Sequence, residues 1–196
     1  MRLFGHKGTE EAAPGSTPYR LMLDLERARA VAAMIAKSRA SRVIEVADMV
    51  AGMYLSNWDR LSRYWPEEEH DRVENFLRRI CQISPQRWNS WIEFYDAERR
   101  RTGRRKWRTL LKPKNGGAAA LRPSADLAAV LKQAEIVAPF RDTEDNRQLP
   151  VLTSECVLLC IARVPRSEFA RKLVDSGLDL PRLDQEARHP RHAPEN

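Results

Sequence analysis

Cysteine and histidine are scarce in this chain, at three and four of 196 residues. So few thiols, and an odd number of them, give no disulfide framework. Cys156 and Cys160, four apart on one predicted helix, and Cys81 on another apolar helix read as small core residues. The histidines fall in the leader (His6), at a charged helix start (His70) and in the tail (His189, His192), and none stands beside a plausible nucleophile. The tail pair lacks the spacing of a designed metal site. No serine or cysteine sits in a recognisable nucleophile turn, and there is no Gly-x-x-x-x-Gly-Lys-Ser/Thr phosphate loop. These absences exclude a P-loop motor and leave no catalytic constellation, so neither an enzyme nor a cofactor or metal is expected. No apolar run approaches the length of a membrane span, and Met1–Gly8 lacks the core of a signal peptide, which makes a reducing, cytoplasmic setting the expectation. Strict polar–apolar alternation is missing too, so the expected fold class is all-α.

What is present is apolar content of 42% and a net charge of +7, with 34 basic residues against 27 acidic ones. The first is enough for a core. The second favours contact with something acidic, although high arginine usage throughout the chain accounts for it equally well.

The chain divides by composition. Residues 1–18 are rich in Gly, Pro, Ser and Ala and read as a flexible leader. Residues 19–98 form a helical first half. Leu21, Leu25, Ala28, Ala32 and Ile35 recur at helical steps from Tyr19 on, and Val46, Met49, Val50 and Met53 form one face of a helix over Val43–Leu55. Pro66 followed by Glu67, Glu68 and Glu69 starts a third helix, and Ser84-Pro85 starts a fourth that carries Trp88, Trp91, Ile92 and Tyr95. Residues 99–120 form a basic linker. Its densest part holds Arg99, Arg100, Arg101, Arg104, Arg105, Lys106, Trp107 and Arg108, a pattern that would attract phosphates. Residues 121–188 form a second helical unit. It opens at Pro123-Ser124, crosses a polar loop from Phe140 to Pro150, enters a nearly all-apolar helix at Thr153, and turns at Gly177. Residues 189–196 read as a flexible tail.

Ser154-Glu155-Cys156-Val157-Leu158-Leu159, then Ala170 and Leu173, then Ser176-Gly177-Leu178-Asp179-Leu180 resemble the second repeat of a Clp amino-terminal domain. In that family a Thr-Glu-His-Leu-Leu-Leu run opens one helix and a Leu-Gly-Val-Asp-Leu run closes the next. The resemblance covers Pro123 to about Ala187 and implies a compact all-α domain of two pseudo-repeats. It also implies a stand-alone interaction module, an adaptor or accessory of a Clp-type ATPase or of its substrates. Some members hold phosphorylated arginine with the repeat's Glu and a Thr, which would assign partner contact to Glu155 and Arg122. This chain departs from the pattern by having Arg122 at the Thr position and Ala47 at the first repeat's Glu. Read from the residues alone, Glu155 is a first-turn acid behind an N-cap at Thr153 or Ser154. The competing function is a nucleic-acid-binding protein that uses Arg99–Lys114. No helix-turn-helix pattern supports it, and Trp88 and Trp91 sit at core spacing.

Overall fold

The computed structural model describes residues 19–101, 121–144 and 147–189. Among them are eight α-helices and five short strands, and the fold is a compact, mostly helical domain. The first half runs β1 (Arg20–Leu21), α1 (Leu23–Ser38), β2 (Val43–Ile44), α2 (Val46–Leu61), two 3₁₀ turns (Ser62–Tyr64 and Glu67–Glu69), α3 (His70–Ile80) and α4 (Pro85–Arg101). The second half runs β3 (Arg122–Pro123), α5 (Ala125–Val137), β4 (Phe140–Glu144), β5 (Arg147–Leu152), α6 (Ser154–Ala162), α7 (Glu168–Asp175) and α8 (Leu180–Arg188). Each half therefore carries four helices, with a strand leading into its first helix and another into its second.

The strands pair crosswise. β1 lies parallel to β5 with Arg20 opposite Val151, and β2 lies parallel to β3 with Val43 opposite Arg122. The strand before one half's first helix thus meets the strand before the other half's second helix. Two seams of the same construction result, each a parallel pair running into two adjacent helix N-termini. Parallel strands cannot be joined by a hairpin, so this pairing ties together segments far apart in the chain.

Local chemistry sets the helix starts. Ser124, Thr153 and Ser167 each accept a hydrogen bond from the backbone N–H three residues on, at 3.3, 3.2 and 3.2 Å. Gly177 takes φ +85° just past α7, a conformation that costs a side-chain-bearing residue more. Helix α6 is buried from Ser154 through Ile161 because α2, α5, α7 and α8 surround it, as its apolar sequence requires. Full burial of Leu158, Leu159 and Ile161 contributes about 2 kcal/mol each.

Three sequence expectations need correction. The Phe140–Pro150 stretch is a β-hairpin, not a loop, with Phe140 opposite Val151 and Arg141 opposite Pro150. Proline is tolerated there because β1 pairs only with Val151 and Leu152, so at Pro150 β5 has a strand on one side only. Secondly, α1 starts at Leu23 and α2 at Val46, since Leu21, Val43 and Ile44 are taken by strands. Thirdly, α2 runs on to Leu61 through a kink at Asn57 (φ −134°, ψ 26°). The leader, most of the linker and the tail lie outside the described residues.

Helices α1 and α2 pack closely because of Gly52. A Cβ there would lie 2.2 Å from the Ala28 carbonyl oxygen and 3.0 Å from the Ala32 nitrogen, both main-chain atoms that cannot swing aside. In an unobstructed helix Gly→Ala stabilises by up to about 1 kcal/mol. Here Gly52→Ala is expected to destabilise by about 1–3 kcal/mol, as overpacking does. Urea unfolding decides it, since a higher midpoint would mean the helices are not in this contact.

Candidate functional site

Two places bring chemistry together, an ionic network at the β1–β5 seam and an apolar cleft between the seams. At the β1–β5 seam, Asp24 lies in the first turn of α1, Glu155 in the first turn of α6, and Arg60 in the last turn of α2. The carboxylates face positive helix ends and the guanidinium a negative one, so each is favoured where it stands. Arg60 Nε donates to Glu155 Oε1 at 2.5 Å, its Nη2 to Oε2 at 2.8 Å, and its Nη1 to Asp24 Oδ2 at 3.0 Å. Such a fork is the strong form of an ion pair. The Asn57 kink aims its amide at the Asp24 carbonyl (3.1 Å) and at Ser154 Oγ (3.3 Å), and Ser154 Oγ donates to Asp24 Oδ2 at 3.1 Å.

The network continues into α8. Arg63 Nη2 lies 3.6 Å from Glu155 Oε1 and 2.6 Å from Glu186 Oε2. Tyr64 Oη donates to Glu186 Oε2 at 2.9 Å, and Arg182 Nε donates to Glu186 Oε1 at 3.3 Å. Three guanidiniums thus meet three carboxylates, with no surplus charge to draw an ionic ligand. For Arg60, burial works against the charged form, but Glu155 and Asp24 outweigh it and its pKa is raised. Burial likewise opposes ionised Glu186, yet hydrogen bonds from Tyr64 and Arg182, with the charges of Arg63 and Arg182, bring its pKa below the ordinary carboxylate value.

Glu155, named by the sequence as a partner-contact residue, is 1% exposed and its two oxygens already hold Arg60. Arg122 lies on the other seam, exposed on β3, so the structure does not join it with Glu155. The capping arrangement is present at this helix start, with Thr153 as N-cap. Ala47 occupies the place in α2 that Glu155 has in α6, each two residues past its N-cap. Arg99, Arg100 and Arg101 form the end of α4, whereas Arg104, Arg105, Lys106, Trp107 and Arg108 lie outside the described residues. Asp24, Arg60, Arg63, Arg182 and Glu186 had no sequence signal beyond the four-residue spacing of the last two. Arg60 and Glu155 are 95 residues apart, beyond any local pattern.

The second place is an apolar cleft between the seams, lined by Tyr19, Leu21, Ile44, Met49, Pro123, Leu127 and Leu131, with Arg29 among its walls. Its volume of about 20 Å³ holds about one water. Burial raises the pKa of Tyr19 there, against the charge of Arg29 and with that of Glu135. Among the described residues no group of His, Cys, Asp and Glu could hold a metal. The thiols are poor nucleophiles: burial pushes Cys81 up to about 12 and Cys160 up to about 11, and raises Cys156. Trp88 is fully buried in the core and Trp91 partly so. No described helix is long and apolar enough to cross a membrane.

Comparison with family models, with curated proteins and with solved structures finds no match.

Glu186 gives the network a pH signature. Its pKa is lower in the fold, so the stability it contributes is fully present above about pH 4.5, the ordinary glutamate value, and is lost as pH falls through the lowered value. Urea midpoints measured from neutral pH into acid should fall for the wild type. Glu186→Gln should start lower and fall less steeply, and parallel curves would remove Glu186 from the acid response.

Proposed function

We propose that this chain is a non-enzymatic protein-binding module of the Clp amino-terminal kind, acting in the reducing cytoplasm as an adaptor or accessory of a Clp-type unfolding machine. The observation that carries the reading is the twofold order of elements: two four-helix halves joined by crosswise strand pairs, with the Ser154–Leu159 run forming the buried central helix of the second. This supports the pair of pseudo-repeats that the sequence resemblance implies. Three free, buried cysteines suit a reducing compartment. The arginine-holding role of the family's Glu does not carry over to Glu155, because Arg60 supplies the guanidinium from within the chain. Partner contact by helix faces or grooves is the mode expected of such a module.

A second reading rests on charge. Nine of the 34 basic residues and none of the 27 acidic ones lie between Arg99 and Lys114, which leaves 25 against 27 in the rest of the chain. The whole surplus of positive charge sits in one segment, the pattern of a polyanion contact.

One experiment separates the two. The protein is used as bait in a lysate of its native cell, with and without nuclease. Recovery of a Clp-type ATPase that survives nuclease supports the module, and recovery of nuclease-sensitive material alone sinks it. The triple variant Arg104→Ala, Arg105→Ala, Lys106→Ala should leave that recovery intact while weakening retention on a polyanion column.

A further inference from the structure

Helix α4 turns an aromatic ring and a guanidinium outward on one face. Trp88 is fully buried and Tyr95, seven residues on, is 5% exposed, so these two anchor the helix. The Tyr95 hydroxyl meets Met34 Sδ of α1 at 3.7 Å. Phe94, one residue earlier, is thereby directed outward and is 52% exposed, its ring edge-on to Tyr95 at 5.2 Å. Arg87 lies seven residues before Phe94, which puts it within about 20° of Phe94 round the helix and about 10 Å away along it. The exposed Arg87 guanidinium is held over the Trp91 ring at 5.2 Å. Among the described residues it has no acid partner.

Around Phe94 the exposed neighbours on α4 are Arg87, Ser90 and Ala97, which offer no apolar stripe to a protein helix. A ring with a guanidinium beside it suits a chain of flat bases and phosphates: bases stack on the ring, and the cation meets a phosphate. The same helix ends in Arg99–Arg101, the first three of nine basic residues between Arg99 and Lys114, where no acid occurs. Of the acids on α4, Glu98 alone falls within about 40° of Phe94, and the three arginines that follow outnumber it. We propose that this face of α4 is a binding site for single-stranded nucleic acid, with Phe94 as the stacking platform and Arg87 as a phosphate contact. A duplex is disfavoured, because its bases are already stacked and leave no face for Phe94. The site rests on the charge reading of Arg99–Lys114, not on the module reading.

Fluorescence anisotropy of the full chain with a labelled oligothymidylate strand tests the site. A sugar–phosphate strand without bases and the matching duplex are the comparison probes. The thymidylate strand should bind about tenfold or more tightly than either, since stacking adds to the phosphate contacts. Phe94→Leu keeps an apolar side chain without a ring, and should lose about fivefold or more in affinity for the thymidylate strand. Its salt dependence should stay as in the wild type, since no charge is removed. Phe94→Trp should restore the affinity. Arg87→Ala should lower the slope of log affinity against log salt by about 0.7, and an unchanged slope overturns the phosphate contact. Phe94 is half-exposed, so its variants keep the fold, which their urea midpoints check. Equal binding of the base-free strand or the duplex, or unchanged affinity in Phe94→Leu, overturns the site and leaves the charge reading standing. Failure to bind any of the three probes at low salt removes both.

Discussion

Glu155 is an acid at the start of the most buried helix among the described residues, and the structure depends on Arg60 meeting it there. A carboxylate in an apolar interior costs several kcal/mol unless it is paired and hydrogen-bonded. Arg60 supplies two parallel bonds, Arg63 stands behind it, and the first-turn position adds the helix dipole. Because Arg60 comes from α2 and Glu155 from α6, satisfying the acid fixes the two halves against each other. The Asn57 kink, Ser154 and Asp24 serve the same joint. A third of Arg60 remains exposed, which tempers the desolvation cost without releasing the pair.

Fold class and the second half's elements were largely legible because their signals are local. The caps at Ser124 and Thr153, the turn at Gly177 and the all-apolar face of α6 depend on residues within a few positions. The strands were not legible, because four of the five are held by partners far away in sequence. Two-residue strands have no alternation to read, and β5 carries a proline. The ionic joint was hidden for the same reason: Glu155 is visible as a capping acid, but its partner is set by tertiary packing. Arg60 has no local feature that singles it out from the other arginines.

The functional reading shifts accordingly. A carboxylate that sequence offered to a partner is consumed inside the molecule. One pseudo-equivalent side is ionic, buried and closed, whereas the other is held by strands over an apolar cleft. At corresponding helix positions the two sides carry Glu155 and Ala47, and only the first can take part in an ion pair. The basic segment Arg99–Lys114 is a separate concentration of charge in the sequence.

The joint is tested most directly by a double-mutant cycle on Arg60 and Glu155, using Arg60→Met, Glu155→Gln and the pair, with stability read from urea unfolding. Glu155→Gln alone should cost about 1.5–3 kcal/mol, the range for a hydrogen bond to a charged group. A coupling of about 1–2 kcal/mol is expected between the two sites. Additivity within about 0.5 kcal/mol would mean that the halves are held by something other than this pair.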